Sequence, residues 1–114
     1  MRRAVLVLLL WLGACGDEEA IIVKVDTSRF QIPQQIDLLH LEVKHTAEAV
    51  IGRNVPLAAD QTNPAIKLIA GGRLPRQGLI LIVYGFLGAT LVIQSAEQQI
   101  GFESGKTKVV NISL

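Results

Sequence analysis

Apolar and polar residues alternate along most of the chain after residue 20. A period of two is the spacing of a β-strand with one buried face, and no segment carries a convincing helical stripe. The pattern predicts strands at residues 21–27, 36–46, 48–52, 65–70, 79–85, 90–99 and 106–114. The segment from 48 to 52 carries the weakest pattern, and we expect a turn near Asn54.

The alternation also predicts which side chains face the core. In the second predicted strand, the inward set is Leu39, Leu41 and Val43, and the outward set is His40, Glu42 and Lys44. Residues 79–85 are apolar on both faces, which indicates a central strand. The uncharged run Leu79–Ile93 could instead be read as a membrane helix, but it is short, rich in β-branched residues and interrupted by glycine. We therefore favour a hairpin in the core.

Glycine- and proline-rich turns separate these segments. Six or seven short strands with such turns predict an all-β fold, an immunoglobulin-like antiparallel two-sheet sandwich over residues 21–114. A true antibody-type domain is excluded, because Cys15 is the only cysteine and Trp11 lies in the N-terminal segment. The 114 residues are enough for one domain.

Composition narrows the classes of function. Half of the residues are hydrophobic but only 4% are aromatic, and the net charge is +1. A nucleic-acid binder would show a basic stripe, and we find none. We also find no cofactor motif and no convergent catalytic set, so we expect a non-enzymatic protein without a cofactor.

The first 14 residues have the layout of an export signal. Arg2 and Arg3 form a positive segment, residues 4–12 form a short apolar core, and Gly13 and Ala14 are small. Nine apolar residues fall well short of the ~20 that a spanning helix needs. Removal of this segment would leave nine basic against ten acidic side chains.

The stretch Leu12, Gly13, Ala14, Cys15 resembles a bacterial lipobox. In lipoproteins of that family, the cysteine thiol receives a diacylglyceryl group and the cysteine becomes the new N-terminus. The resemblance implies a signal peptide at 1–14 and a lipidated cysteine with a short tether at 15–20. Two alternatives remain: an ordinary secretory signal with an incidental cysteine, and a buried N-terminal strand of a cytosolic protein.

A wider pattern is similar to short envelope lipoproteins of myxobacteria and related Gram-negative bacteria. The matching pieces are Val23 to Asp26, Ile32-Pro33, Ile36 to Val43, Leu87 to Ala89, and Gly101 to Thr107. The resemblance implies a fold and a location in the cell envelope, on the inner or outer membrane, and it implies no activity.

The candidate metal ligands are His40, His45, Asp26 and Asp37. His40 and His45 lie five apart on one predicted strand, so they should point to opposite faces, and we expect solvated histidines rather than ligands. Asp26 and Asp37 are oxygen ligands of the kind calcium prefers. Aspartates at strand ends more often cap turns, and we expect that role here.

Arg53, Arg73 and Arg76 provide one further candidate site. They could form a small basic patch that binds an anionic polymer or lipid headgroups, and the alternative is that they are solvated turn residues.

Taken together, the sequence predicts a lipid-anchored envelope protein with a membrane contact through its lipid. Its sandwich is expected to bind an envelope protein or a glycan and no nucleic acid. The alternatives are an adhesin-like carbohydrate-binding module and a small periplasmic inhibitor.

Overall fold

Among the residues that the structure describes, eight strands form from the alternating segments of the sequence. The computed structural model describes residues 19–60, 63–71 and 74–114. The strands are β1 (Ala20–Asp26), β2 (Leu38–His45), β3 (Glu48–Pro56), β4 (Ala65–Ile69), β5 (Leu79–Leu87), β6 (Thr90–Gln94), β7 (Gln98–Ile100) and β8 (Thr107–Ser113). The described residues contain no helix, so the predicted all-β class is confirmed.

The strands pair into two sheets that pack as a sandwich. One sheet has three strands in the order β4-β1-β8, and the other has the order β3-β2-β5, with β6 and β7 both on the far side of β5. The predicted two-sheet architecture is therefore confirmed. Within it, β1 and β8 pair in parallel, whereas the other pairs are antiparallel.

The order of strands differs from that of a constant-type immunoglobulin domain. A constant-type immunoglobulin domain places its first, second, fourth and fifth strands in one sheet. Here the first and fourth strands share a sheet with the last, and the second and fifth strands lie in the other. The parallel pair brings the first and last strands of the domain together along seven residue pairs.

The core lies between the two sheets and is aliphatic. Ile21, Val23 and Val25 of β1 are almost completely buried, and they face an inward row on the second sheet. That row contains Leu39, Leu41, Val43, Leu79, Leu81 and Val83. The predicted inward face of β2 is confirmed. Phe102, in the loop before β8, is also buried and closes one end of the core.

The central strand of the larger sheet is β5, as its apolar pattern predicts. It pairs with β2 along one side and with β6 and β7 along the other. Ile82 points away from the sandwich core, opposite Glu42, yet it is only 2% exposed. The run Leu79–Ile93 thus forms the predicted hairpin of β5 and β6.

Two predicted boundaries were wrong. The third strand continues through Asn54 to Pro56, because each of its residues from Gly52 to Pro56 pairs with β2 and no turn interrupts the ladder. The predicted strand 90–99 is divided after Gln94. At that break, Ser95 completes the ladder: its N–H donates to the Val83 carbonyl at 2.8 Å, and its hydroxyl accepts the Val83 N–H at 2.9 Å.

Gly85 allows two neighbouring side chains, one from β6 and one from the loop before β2, to pack closely against β5. It lies opposite Ile93 on β6. A Cβ at this position would be 2.8 Å from Ile93 Cγ2 and 3.4 Å from Ile36 Cγ2. Both contacts are with branched, buried or half-buried side chains that have little room to move. The close packing therefore requires glycine at this point of β5.

We predict that Gly85→Ala destabilises the fold by about 1–3 kcal/mol, the usual cost of overpacking. Gly52→Ala is the matched control, because its new Cβ would meet His40 Cε1 at an ordinary 3.5 Å. The control should stay within about 0.5 kcal/mol of the parent. Urea denaturation of the purified proteins measures both. Equal stability of the two variants would contradict the packing assigned to Gly85.

Candidate functional site

The lipobox residues lie outside the described residues. Leu12, Gly13, Ala14 and Cys15 belong to the segment 1–18, so their predicted roles stay predictions. Glu19 is the first described residue, and its contacts show how the chain enters the sandwich.

Glu19 contacts the folded domain through both its carboxylate and its backbone carbonyl. Its Oε1 lies 2.6 Å from the Arg76 guanidinium, and its Oε2 accepts the Gly105 N–H at 3.2 Å. Its carbonyl accepts the Ala70 N–H at 3.0 Å. These contacts link the start of β1 to the loops before β5 and β8, so the chain is fixed one residue before the first strand.

The outward face of the larger sheet carries a row of interacting polar side chains, which we call the polar row: Lys44, Glu42, Tyr84, His40 and Asn54. Strand register places them on one face, because His40 pairs with both Asn54 and Tyr84 and Glu42 with Ile82. His40 Nδ1 is 2.7 Å from Asn54 Oδ1. The rings of His40 and Tyr84 lie 6.1 Å apart between centroids, tilted by 37°.

The row continues from the aromatic pair to two charged groups. The Tyr84 hydroxyl donates to Glu42 Oε1 at 3.3 Å, and Lys44 Nζ lies 3.7 Å from the same oxygen. Partial burial raises the pKa of Tyr84, and the nearby Glu42 carboxylate raises it further. The hydroxyl therefore remains a neutral donor at any physiological pH.

An apolar hollow lies at the end of the polar row. It has a volume of about 380 Å³. Its lining residues are Leu38, His40, Asn54, Phe86, Gly88 and Ala89. Leu91, which is 49% exposed on β6, pairs with the lining residue Phe86 and so lies on the same outward face. The polar row and this hollow together form the candidate site.

A second concavity of similar size opens beside β7 and β8. Its charges are internally compensated, because Lys108 Nζ lies 3.2 Å from Glu103 Oε2. The amide of Gln77 donates to the Phe102 carbonyl at 2.7 Å. The groups of this concavity are paired with one another, as those of the polar row are, and the difference lies in the apolar side chains: Leu91, exposed on β6, pairs with Phe86 of the first hollow.

The structure separates the other candidate residues. His40 and His45 lie on opposite faces of β2, as predicted, because His40 shares a face with Tyr84 and His45 with Leu79. Among the described residues, no three histidine, cysteine, aspartate or glutamate side chains are grouped to hold a metal ion.

The two aspartates have the capping role that was expected of them. The Asp26 carboxylate accepts the Ser28 N–H at 2.9 Å, and hydrogen bonds to Ser28 lower its pKa. The Asp37 carboxylate accepts the Gly88 N–H at 3.0 Å and so ties the β5–β6 turn to the start of β2.

The predicted arginine patch divides among different parts of the fold. Arg53 lies on the edge strand β3, and Arg76 binds Glu19. Arg73 lies outside the described residues. The described arginines therefore have separate surroundings, and Arg76 has an acidic partner.

Three of the five residues of the polar row could be predicted from the sequence. The alternation in β2 correctly placed His40, Glu42 and Lys44 on the outward face. Tyr84 was missed, because β5 is apolar on both faces and its register against β2 cannot be read from the pattern. Asn54 was missed because it was assigned to a turn.

Comparison with protein-family models, with curated proteins and with solved structures gives no match for this chain. Across residues 19–60, 63–71 and 74–114 there is no helix long and apolar enough to cross a membrane.

We predict that the tyrosinate absorbance of the chain's single tyrosine titrates above its ordinary value of 10. The folded state holds this proton more tightly than the unfolded state does. Its contribution to stability is therefore complete below pH 10 and is lost as pH rises through the folded pKa. Glu42→Gln should lower the pKa of Tyr84, and Glu48→Gln, on the exposed edge strand, should not. Identical titrations of all three proteins would contradict the contact.

Proposed function

We propose that this chain is a lipid-anchored protein of the bacterial cell envelope, in which Cys15 carries the lipid and the sandwich is a non-enzymatic binding module. The order of charge, apolar core, small residues and cysteine in residues 1–15 supports the anchor. Acyl chains contribute about 0.8 kcal/mol for each buried CH₂ group, so two or more chains would hold the protein stably.

We propose that the partner is another envelope protein and that it binds the outward face of the larger sheet. The observation that carries this proposal is the apolar hollow with exposed Leu91 beside it, opposite the lining residue Phe86. Contiguous exposed apolar surface rimmed by polar groups is typical of protein-binding sites. The polar row beside it supplies hydrogen-bonding groups that would fix the partner's orientation.

A glycan is the second candidate partner. The observation that favours it is the His40–Tyr84 ring pair beside the Asn54 amide, because sugars bind ring faces and polar side chains together. The described residues contain few other aromatic side chains on this face, which favours the protein partner.

The anchor is tested with Cys15→Ser in a Gram-negative host. Without the thiol no diacylglyceryl group can be attached, so the variant should move from the detergent phase to the aqueous phase in a detergent partition. Ala14→Gly is the matched control, because it keeps a small residue before the cysteine, and it should remain in the detergent phase. If Cys15→Ser also partitions into detergent, the lipid anchor is wrong.

The binding face is tested with a photo-crosslinking amino acid at Leu91 in the native host. The matched control carries the same amino acid at Val109, which is equally exposed at 50% but lies on the other sheet. We expect a defined protein adduct from position 91 and none from 109. The partner, once purified, should bind Leu91→Lys about tenfold more weakly than the parent, as for a residue at the centre of an interface.

Three outcomes would contradict this assignment. Equal adducts from both positions would show that the larger sheet is not the binding face. Unchanged affinity of Leu91→Lys would show that the hydrophobic side chains do not carry binding. Retention of the parent protein on envelope polysaccharide, with no protein adduct, would favour the glycan.

A further inference from the structure

The outward face of the three-stranded sheet is a second surface with a distinct character. We call it the basal face and define it by Ile22, Ile69, Val109, Lys24 and Lys67. Strand register places all five on one side: Ile22 pairs with Val109 on β8 and with Lys67 on β4, and these residues alternate with the buried ones. Ile69 is 53% exposed and Val109 is 50% exposed.

The apolar part of the basal face lies next to the point where the chain joins the sandwich. Ile69 ends β4 opposite Ala20, the first residue of β1, and Ile22 is two residues further along. Glu19 is fixed by Arg76 and by the Gly105 N–H. The exposed apolar residues thus lie beside the first residues of β1, next to the tether.

The tether is short once Glu19 is held. Only residues 16–18 separate Glu19 from Cys15. An extended chain advances at most about 3.6 Å per residue, so Cys15 lies within about 14 Å of Glu19. A lipid on Cys15 would therefore keep the basal face close to the bilayer surface, with no room for the sandwich to stand far from it.

The charged side chains of the basal face are positive, which suits a membrane surface with anionic headgroups. Lys24 and Lys67 are its charged members, and both are exposed. Among the described outward residues of β1, β4 and β8, the one acid is Asp26, at the far end of β1, where its carboxylate accepts the Ser28 N–H. Lysines beside exposed aliphatic side chains match a surface of anionic headgroups.

We propose that the basal face lies against the bilayer that holds the lipid of Cys15. Ile22, Ile69 and Val109 contact the interfacial region, and Lys24 and Lys67 contact anionic headgroups. The proposal rests on the proposed lipid anchor and extends it from an attachment point to an orientation. It places the polar row, on the opposite face of the sandwich, toward the aqueous compartment.

The test uses the full chain with a spin label on one introduced cysteine, because lipidation consumes the thiol of Cys15. Ile69→Cys reports on the basal face, and Leu91→Cys, exposed to a similar degree on the other sheet, is the matched control. The lipidated proteins are inserted into vesicles of phosphatidylcholine and phosphatidylglycerol. Relaxation by a water-soluble paramagnetic reagent measures the exposure of each label.

We expect the label at position 69 to be several-fold less accessible to the aqueous reagent than the label at position 91. Adding Lys24→Glu should reduce this protection, and vesicles of phosphatidylcholine alone should reduce it too. Flotation of the labelled proteins with the vesicles shows whether the lipid is present. Equal accessibility of the two labels on floating protein would overturn the basal-face proposal and leave the anchor standing.

Two other outcomes would also overturn it. If the protein does not float, the anchor fails and the orientation that rests on it fails as well. The remaining alternative is that a second copy of the chain, and not the bilayer, covers the basal face. It would be indicated by protection and spin–spin broadening at position 69 in the Cys15→Ser background, in solution without vesicles.

Discussion

The pairing of β1 with both of its neighbours is the interaction on which the rest of the structure depends. β1 joins β4 on one side and β8 on the other, so without it the smaller sheet has no centre. Its alternation gives β1 one wholly aliphatic face, with Ile21, Val23 and Val25 buried against the larger sheet. The remaining strands of the sandwich need that apolar cover, because burial of aliphatic area is the main favourable term in folding.

The start of the same strand is fixed to the rest of the folded domain by the residue before it. Glu19 fastens the start of β1 through a short contact to Arg76 and a hydrogen bond from Gly105. With the chain fixed there, only a few residues connect the domain to Cys15. Under the proposed lipid anchor, the outward side of the smaller sheet becomes the near side and the polar row becomes the far side. In that proposal, the contacts of Glu19 assign one face of the sandwich to the membrane and leave the opposite face for a partner.

Local pattern predicted most of the strands and their faces, because a period of two is preserved wherever one face is buried. It failed where long-range pairing decides the outcome. Asn54 continues a strand because β2 supplies partners beyond it, and the break at Ser95 is possible because its hydroxyl takes the role of a backbone carbonyl for Val83. The candidate site has the same division: His40 and Glu42 follow from alternation, whereas Tyr84 joins them only through the β2–β5 register.

The mass of the mature N-terminal peptide, taken from detergent-extracted membranes of the native host, tests the central claim most directly. The account predicts a peptide that begins at Cys15 and carries a diacylglyceryl group, with or without a further acyl chain. An unmodified Cys15, or a peptide that still begins at Met1, would contradict the lipid anchor and the membrane orientation that depends on it.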